Sequence, residues 1–334
     1  MNLNRKRILF FAPAFFGYEL KIKDKMEQMG AVVDFYDERS ISKSYEKALL
    51  KISPKIFGYK TAKYYRQIIE QNKGNLYDYI FVIKCEMMSL ETIRQLKHFS
   101  PNAVFCLYLY DALKNVKGVA HKINEFDRAF SFDSGDVKNN GKLIFRPLFF
   151  LDCYRKDIRD DNQYKYAISF IGTIHSDRYS IIKNVKKIYE DKNLDSFFFC
   201  YLQSNFIYRF YKFTKKEFRN TQKTDFEFAK IESSLIAKVI DESRAVLDIQ
   251  HPKQTGLTMR TIEMLGMNKK LITTNKEIVE YDFYNPNNIL VVDRSAVCIH
   301  DSFLHQPYQN VDKATYERYS IESWIGDILG TQPE

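Results

Sequence analysis

Residues 245–275 read AVLDIQHPKQTGLTMRTIEMLGMNKKLITTN, and this stretch decides the fold. The apolar run Ala245–Ile249 predicts a buried strand, and an amphipathic helix is predicted from about Thr258 to Met267. A second apolar run, Lys270–Thr274, predicts another strand after the helix. Two strands separated by a helix form a parallel crossover rather than a hairpin. The stretch therefore predicts an α/β domain with a parallel sheet.

The loop between this strand and helix has the composition of a phosphate-binding turn. It contains His251, Lys253 and Gly256, and Leu257 and Thr258 open the helix. Helix N-termini carry unpaired N–H groups and about half a positive charge, which suits a diphosphate. Gly256 allows a ligand to approach the backbone closely, and Thr258 can cap the helix or donate its hydroxyl.

Two charged residues lie on one face of the same predicted helix. Arg260 and Glu263 are three positions apart, so their side chains are neighbours. The Glu263 carboxylate could accept hydrogen bonds from both hydroxyls of a ribose whose phosphates lie at the helix N-terminus. An ordinary strand-loop-helix with an exposed Arg260–Glu263 pair is the alternative interpretation.

The same strand–helix rhythm extends through the whole chain. With 334 residues, it is longer than one hydrophobic core usually grows, so two domains are expected. Residues 1–150 predict an N-terminal Rossmann-like domain, residues 166–312 a C-terminal one, and residues 313–334 a terminal helix packing across the domain boundary. The charged stretch 152–165 is interpreted as the linker. Two such sheets are expected to face a central cleft, where open α/β sheets bind ligands.

The remaining elements are predicted from the same two patterns. Further apolar runs predict strands at Arg7–Ala12, Ala31–Tyr36, Tyr79–Ile83, Val104–Tyr110, Arg128–Phe132, Leu143–Phe145, Tyr166–Gly172, Ser196–Leu202 and Ile289–Val292. Amphipathic runs predict helices at Glu19–Met29, Leu90–His98, Arg178–Tyr189, Ser233–Asp241 and Thr315–Leu329.

A second anion-receptive turn is predicted at residues 169–179, which read SFIGTIHSDRY. Gly172 and Thr173 end a strand, and His175 and Arg178 lead into a helix. Arg178 is the predicted counter-charge for a departing diphosphate. His175 could donate a hydrogen bond to a phosphate or a sugar. In the alternative interpretation, Asp177 caps the helix and Arg178 is a surface residue.

Several acidic residues follow predicted strands of the N-terminal domain. Glu19 ends the loop 13–19 after the first strand, Asp37 and Glu38 follow the second, and Asp111 follows strand Val104–Tyr110. An inverting transfer to a hydroxyl needs a carboxylate or a histidine as general base. Asp111 is the preferred candidate, with Glu19 and His175 as the others. Each carboxylate could equally be a helix cap or a turn residue.

The composition limits the partners and the compartment. The net charge of +9 favours anionic partners, which include nucleotides, phosphorylated lipids, an anionic membrane surface and nucleic acid. The apolar stretch Ile8–Phe16 is too short to cross a bilayer and contains Pro13, so neither a signal peptide nor a membrane span is expected. The five cysteines are interpreted as buried free thiols of a cytoplasmic protein: Cys85, Cys106, Cys153, Cys200 and Cys298.

Basic and aromatic residues cluster at 201–219, within one predicted helix and its exit. The simpler interpretation is a solvated helix face with the aromatic rings turned to the core. The alternative is a contact face for an anionic membrane or a lipid-linked acceptor. The cluster comprises Tyr208, Arg209, Tyr211, Lys212, Lys215, Lys216 and Arg219.

The stretch GLTMRTIEMLGMNKKLITTN, followed by YDFYNP at 281–286, resembles the donor-binding segment of group 1 glycosyltransferases of the GT-B fold, and in particular bacterial enzymes of lipopolysaccharide and capsule biosynthesis. The resemblance implies that Glu263 holds the nucleotide ribose and that Gly256, Leu257 and Thr258 lie at the phosphates. The family pattern E-x7-E is incomplete, because Thr255 stands where the first glutamate would be.

The sequence therefore predicts a metal-independent glycosyltransferase that takes a nucleotide-sugar as co-substrate and needs no other cofactor. Its expected acceptor is a glycan or a lipid-linked sugar of O-antigen or capsule synthesis, with a peripheral contact to the inner face of the cytoplasmic membrane. The alternatives are transfer of a polyol phosphate or sugar phosphate in cell-wall polymer synthesis, and a non-catalytic subunit that binds nucleotide or nucleic acid. Dinucleotide, P-loop and zinc motifs are absent from the sequence.

Overall fold

The computed structural model describes residues 2–15, 17–39, 58–116, 118–158, 164–252 and 254–331. The chain forms two compact units: unit 1 is Met1–Phe149 with Arg318–Glu334, and unit 2 is Phe150–Glu317. Each unit has its own parallel sheet and its own core.

The strands and helices of the described segments are numbered in chain order. The strands are β1 (Arg7–Ala12), β2 (Val32–Asp37), β3 (Tyr79–Ile83), β4 (Val104–Leu109), β5 (Arg128–Ser131), β6 (Leu143–Phe145), β7 (Tyr166–Thr173), β8 (Ser196–Tyr201), β9 (Ser243–Asp248), β10 (Lys270–Thr273) and β11 (Ile289–Val291). The helices are α1 (Tyr18–Gln28), α2 (Gly58–Gln71), α3 (Leu90–Phe99), α4 (Ser134–Asn139), α5 (Arg178–Asp191), α6 (Asn205–Thr214), α7 (Ser233–Asp241), α8 (Met259–Gly266), α9 (Asp301–His305), α10 (Lys313–Arg318) and α11 (Ile321–Leu329). Short 3-10 turns occupy Leu113–Asn115, Ala120–Glu125, Asp152–Tyr154, Lys216–Phe218, Lys223–Asp225 and Lys276–Glu280.

Unit 1 is built on a parallel sheet that, within the described segments, has the order β2-β1-β3-β4-β5-β6. Strands β1, β3 and β4 are almost entirely apolar and buried, as expected for a sheet covered on both faces. The last helix, α11, also belongs to this unit. Its Trp324 is fully buried, with its ring centroid 4.4 Å from that of Phe149 and 4.7 Å from that of Tyr108.

Unit 2 has a second parallel sheet with the order β11-β10-β9-β7-β8 in the described segments. Strands β7 and β9 are adjacent, with Ile168 opposite Ala245 and Ser169 opposite Val246. The core contains Phe170, Leu247 and Ile272, all buried. The predicted α/β fold with two parallel sheets is therefore confirmed.

Two predictions about local structure were wrong. The single terminal helix Thr315–Leu329 is divided into α10 and α11, because Ser320 is in extended conformation and its Oγ accepts a hydrogen bond from the backbone N–H of Ser323 (3.1 Å). The cysteines are not all buried. Cys153 and Cys298 are exposed, because neither lies in a strand of a buried sheet or packs in a core, whereas Cys85, Cys106 and Cys200 are buried free thiols.

Part of the predicted linker, residues 159–163, lies outside the described residues. None of the helices in the described segments combines the length and apolarity that a bilayer-spanning helix needs.

Candidate functional site

The order of strands in unit 2 places a topological switch point between β7 and β9. From β7 the chain moves to β8 on one side, and from β8 it crosses to β9 on the other side. Ligands of open α/β sheets bind beyond the carboxyl ends of the strands at such a point. The predicted residues Gly172 and Thr173 end β7, His175 follows them, and His251 follows β9.

Arg178 connects the two strands at this switch point. Its Nη1 donates a hydrogen bond to the carbonyl of Thr173 (2.9 Å) and its Nε donates to the carbonyl of Ile249 (2.6 Å). Burial lowers the pKa of the Arg178 guanidinium from its usual range. The predicted counter-charge is thus a half-buried cation fixed at the carboxyl edge of the sheet, and the alternative of a simple surface arginine is wrong.

The rings of His175 and His251 lie beside each other, with centroids 5.4 Å apart. Burial, together with the nearby Arg178 and His251, lowers the pKa of His175 to about 4. His175 is therefore a neutral imidazole near pH 7. A neutral ring can donate one hydrogen bond to a ligand, while the positive charge of this edge comes from Arg178 and from Lys215, whose Nζ donates to the Ser176 carbonyl (3.0 Å).

Arg294, which sequence reasoning missed, lies at the same edge. Its Nε and Nη2 donate to the two carboxylate oxygens of Asp177 (2.8 and 2.7 Å), and its Nη1 donates to Thr274 Oγ1 (2.9 Å). Hydrogen bonds from Arg294 hold the pKa of the Asp177 carboxyl below its usual range. The Asp177 side chain therefore binds Arg294 and does not cap α5. The signal in the sequence was a cation two residues after the last predicted strand, Ile289–Val292.

The N-terminus of α8 is held against the end of β9. Thr258 is its N-cap, and its Oγ1 accepts a hydrogen bond from the Thr261 N–H (3.2 Å) and donates to Asp248 Oδ2 (2.6 Å). The Thr261 hydroxyl donates to the same Asp248 oxygen (2.8 Å). Asp248 is a second residue missed from the sequence, where it was simply part of an apolar strand. It fixes the α8 N-terminus beside the switch point.

The loop before α8 is held in place by Asn275, which follows β10. The Asn275 side-chain amide donates to the carbonyl of Thr255 (3.1 Å), and the backbone around Gly256 is buried. Leu257 is also buried, so a ligand could meet only its backbone. Lys253 lies outside the described residues. Gly172 has a packing role, because a Cβ there would come within 2.9 Å of the Phe170 ring.

Glu263 lies on α8 and pairs with Arg260, as the spacing predicted. The Arg260 Nη1 and Glu263 Oε2 atoms are 2.8 Å apart, and the two side chains are 20% and 7% exposed. The alternative of an exposed surface pair is therefore wrong for Glu263. A carboxylate this deeply buried requires a compensating partner, which Arg260 supplies.

The other catalytic candidates lie in unit 1, and the structure gives each a local partner. Glu19 is buried and its Oε2 accepts a hydrogen bond from the Phe15 N–H (2.9 Å). Asp111 is half-exposed and its Oδ2 lies 2.9 Å from Lys84 Nζ. Lys84 and the following Cys85 both have left-handed backbone conformations, with φ of 75° and 56°. Such conformations are strained for these residue types and occur often at functional loops.

Glu38 is the most buried carboxyl among the described residues of unit 1. Its Oε1 accepts hydrogen bonds from the N–H groups of Met87 (2.6 Å) and Met88 (3.2 Å). Among the described residues, its Oε2 has no hydrogen-bond partner. Burial raises the pKa of Glu38 to about 7.

Within the described part of the chain, no group of three His, Cys, Asp or Glu side chains is arranged to hold a metal ion.

Neither a protein-family profile nor any curated protein matches the sequence. Solved structures do match. Sucrose-phosphate synthase from Thermosynechococcus elongatus is similar with a TM-score of 0.61 and 10% identity, over 97% of this chain and 98% of that one. HepE from Anabaena, in complex with UDP-glucose, is similar with a TM-score of 0.58 and 12% identity, over 97% and 98%.

A Listeria monocytogenes protein assigned as a UDP-N-acetylglucosamine 2-epimerase is also similar, with a TM-score of 0.52 and 9% identity over 98% of both chains. At such low identity, these likenesses show the fold and leave the reaction open. Together with the two parallel sheets and their switch points, they show that this chain has the GT-B fold, which glycosyltransferases share.

Proposed function

We propose that the protein is a glycosyltransferase that moves a sugar from a nucleotide-sugar donor to a glycan or lipid-linked acceptor in the synthesis of a bacterial surface polysaccharide such as O-antigen or capsule. The observation that carries the proposal is the carboxyl edge of the unit 2 sheet. There Arg178, the neutral His175, His251 and the N-terminus of α8 surround the switch point between β7 and β9.

This edge has the chemistry that a nucleoside diphosphate requires. Arg178 and the N–H groups at the start of α8 supply positive potential for the two phosphates. Glu263 would exchange part of its pairing with Arg260 for the ribose hydroxyls, since a carboxylate accepts two hydrogen bonds. The departing diphosphate would be stabilised by the same cation, and we propose no metal ion or further cofactor.

The proposed chemistry at the acceptor requires a base in unit 1 or a histidine of unit 2. We assign Asp111 to this role because its carboxylate is half-exposed and lies beside Lys84, in the loop that follows β4. Glu19 is less suited, since its carboxylate is buried and already accepts the Phe15 N–H. His175 is the remaining candidate and would act as a neutral base.

The complexes of similar proteins support the choice of ligand. The HepE structure contains UDP-glucose, and a second similar structure, from E. coli, contains UDP-2-fluoro glucose. We place the protein at the cytoplasmic face of a membrane, where lipid-linked acceptors are held. The excess of cations in the sequence is consistent with that location.

The first experiment is thermal unfolding in the presence of UDP, GDP, CDP, CMP and dTDP. A nucleotide at about 100 times its Kd should stabilise the folded chain by about 2.7 kcal/mol, which raises Tm by several degrees. Glu263→Ala should abolish the rise. Glu190→Ala, which removes an exposed acid from α5 of the same unit, should leave it intact.

Turnover then separates the possible reactions. Incubation with the matching nucleotide-sugars and a lipid-linked acceptor should release the nucleoside diphosphate and add the sugar to the acceptor. Conversion of the sugar without acceptor would instead indicate an epimerase. If the folded wild-type protein responds to no nucleotide, the proposed donor site is wrong.

A further inference from the structure

Helix α6 of unit 2 has two aromatic faces that point in different directions. Tyr208 is buried, and Ile207 and Tyr211 pack against the unit 2 core. On the other side, Phe206, Phe210 and Phe213 are 78%, 54% and 85% exposed. The expectation that the aromatic residues of this helix all turn to the core is therefore wrong for the phenylalanines.

The three exposed phenylalanines form one surface, which we call the Phe face. Their positions i, i+4 and i+7 lie along a single side of an α-helix. Exposing one apolar side chain is ordinary, but aligning three of the most hydrophobic ones is costly in water. Such an aligned apolar surface is typical of an interaction site.

Helix α6 is held in place by its N-cap and its packing, so the Phe face is not exposed by fraying of the helix. Ser204 caps α6, accepting the Ile207 N–H (3.3 Å), and the Tyr208 hydroxyl donates to the Thr221 carbonyl (3.0 Å). Lys212 Nζ donates to the same carbonyl (2.9 Å). Phe218 stacks on Phe226 beneath the helix, with centroids 5.4 Å apart. This packing fixes the direction in which the phenylalanines point.

Cations border the Phe face on the side of Phe213. A groove beside it is lined by Arg209, Lys212, Phe213 and Arg219. Lys216, two residues after the end of α6, is also exposed. Within residues 205–219 the sequence has the five cations Arg209, Lys212, Lys215, Lys216 and Arg219, against the single acid Glu217. The surface therefore combines bulky apolar side chains with an excess of positive charge.

From this combination we infer that the Phe face docks the protein onto an anionic lipid surface. Phenylalanines on a convex helix can insert between lipid chains, while long cationic side chains reach the headgroups. A single-stranded nucleic acid binds by stacking successive bases on aromatic rings along a cationic groove, and of the three phenylalanines only Phe213 lines the groove beside this face. The inference extends the proposed membrane location and does not require that the protein transfers sugar.

The end of helix α6 contacts the loop of the candidate donor site within unit 2. Helix α6 follows the carboxyl end of β8, and Lys215 at the end of α6 donates to the carbonyl of Ser176, in the loop that carries His175. A lipid surface contacting α6 would therefore lie at the same edge of this sheet as the residues proposed to hold the donor.

The test is sedimentation of the full chain with phosphatidylcholine vesicles, with and without phosphatidylglycerol, at low and high salt. We expect binding that requires phosphatidylglycerol and weakens with salt. The triple variant Phe206→Ser/Phe210→Ser/Phe213→Ser should bind at least about tenfold more weakly, because the apolar contact is lost. Leu235→Ser/Val279→Ser, which removes two exposed apolar side chains elsewhere in unit 2, should bind like the wild type.

A charge variant completes the design. Arg209→Gln/Lys216→Gln/Arg219→Gln should also lose binding, whereas Lys212 is left unchanged because it holds Thr221. Failure of the wild type to bind anionic vesicles at low salt would overturn the inference, as would full binding by the triple variant. Tighter binding to a single-stranded oligonucleotide, lost in the charge variant but kept in the triple variant, would overturn it too.

A second measurement does not depend on the triple variant being folded. Phe213→Trp adds one indole to a chain whose natural Trp324 is fully buried. Brominated anionic lipids should quench the added fluorescence and leave that of the wild type unchanged. Equal quenching in both proteins would contradict the inference. The thermal response to nucleotide is measured on the same variants. A variant that loses vesicle binding but keeps the nucleotide response would show that lipid binding and donor binding are independent, so that either proposal can be wrong without the other.

Discussion

The carboxyl edges of the two sheets have the same topology and different chemistry. Each sheet reverses its strand order once, between β1 and β3 in unit 1 and between β7 and β9 in unit 2. The edge of unit 1 carries the carboxyl groups Glu19, Glu38, Glu86 and Asp111, of which Glu86 and Asp111 pair with the Lys84 ammonium. The edge of unit 2 carries Arg178, Arg294 and two histidines. The backbone determines where a ligand lies, and the side chains determine which ligand it is.

The difference comes from how the carboxyl groups at each edge are buried or paired. In unit 1 the Glu38 carboxyl is fully buried, so its ionised form is costly even though it accepts hydrogen bonds from two backbone N–H groups. In unit 2 the carboxylates Asp177 and Asp248 are hydrogen-bonded, and Arg178 remains to provide positive charge. Carboxylates suit hydroxyl groups of a sugar acceptor and cations suit phosphates, so the comparison supports the proposed division of roles.

The largest expected effect concerns Glu38 in unit 1. Its folded pKa of about 7 lies above its ordinary value of 4.5, so the native state holds the proton more tightly than the unfolded state. Stability should therefore fall as pH rises from about 4.5 to about 7.5, by about 3 kcal/mol in total. Glu38→Gln should remove this fall. Hydrogen exchange of peptides from β3 and β4 against pH measures it.

An exposed acid of the same unit provides the control. Glu70→Gln, on α2, should retain the full pH dependence of the wild type. If the stability of the wild type and that of Glu38→Gln change with pH in the same way, Glu38 does not hold a proton in the native state. The proposed difference between the two sheet edges would then be wrong for Glu38.

The next effect concerns Arg178 in unit 2. Arg178→Met leaves the carbonyls of Thr173 and Ile249 without this donor, which should cost about 1–2 kcal/mol. It should also weaken the binding of the nucleotide identified by the thermal panel, by about tenfold or more, since a charged hydrogen bond to phosphate is lost. Calorimetric titration and hydrogen exchange of β7 and β9 measure the two effects.

Lys187→Met on the same helix is the matched control, because it removes an exposed cation. If both variants weaken nucleotide binding equally, the edge acts only through its overall charge, and the specific role of Arg178 is wrong.

The smallest effect concerns the cap of α8. Thr258→Val removes the hydroxyl that accepts the Thr261 N–H and donates to Asp248, which should lower stability by about 1 kcal/mol. Thr258→Ser keeps the hydroxyl and should restore most of it. Chemical denaturation of the three proteins provides the measurement. Equal losses for valine and serine would indicate that the methyl group, rather than the hydroxyl, matters.

Much of the fold could be predicted from the sequence because the strands are buried on both faces. Runs such as Arg7–Ala12 and Tyr79–Ile83 are nearly all apolar, and their bounds agree with the structure. The Arg260–Glu263 pair was also predictable, since residues three apart on a helix are always neighbours. Local geometry leaves these features little freedom.

The sequence by itself determined the two parallel sheets, the loops at their carboxyl edges and the local pairs on single helices. Only the tertiary structure decided that Arg294 binds Asp177, which is distant along the chain, and that Asp248 holds the start of α8. It also decided which side of α6 faces water, because both sides are aromatic in the sequence. Periodicity fixes which residues share a face, but packing against the rest of the chain selects the face that is buried.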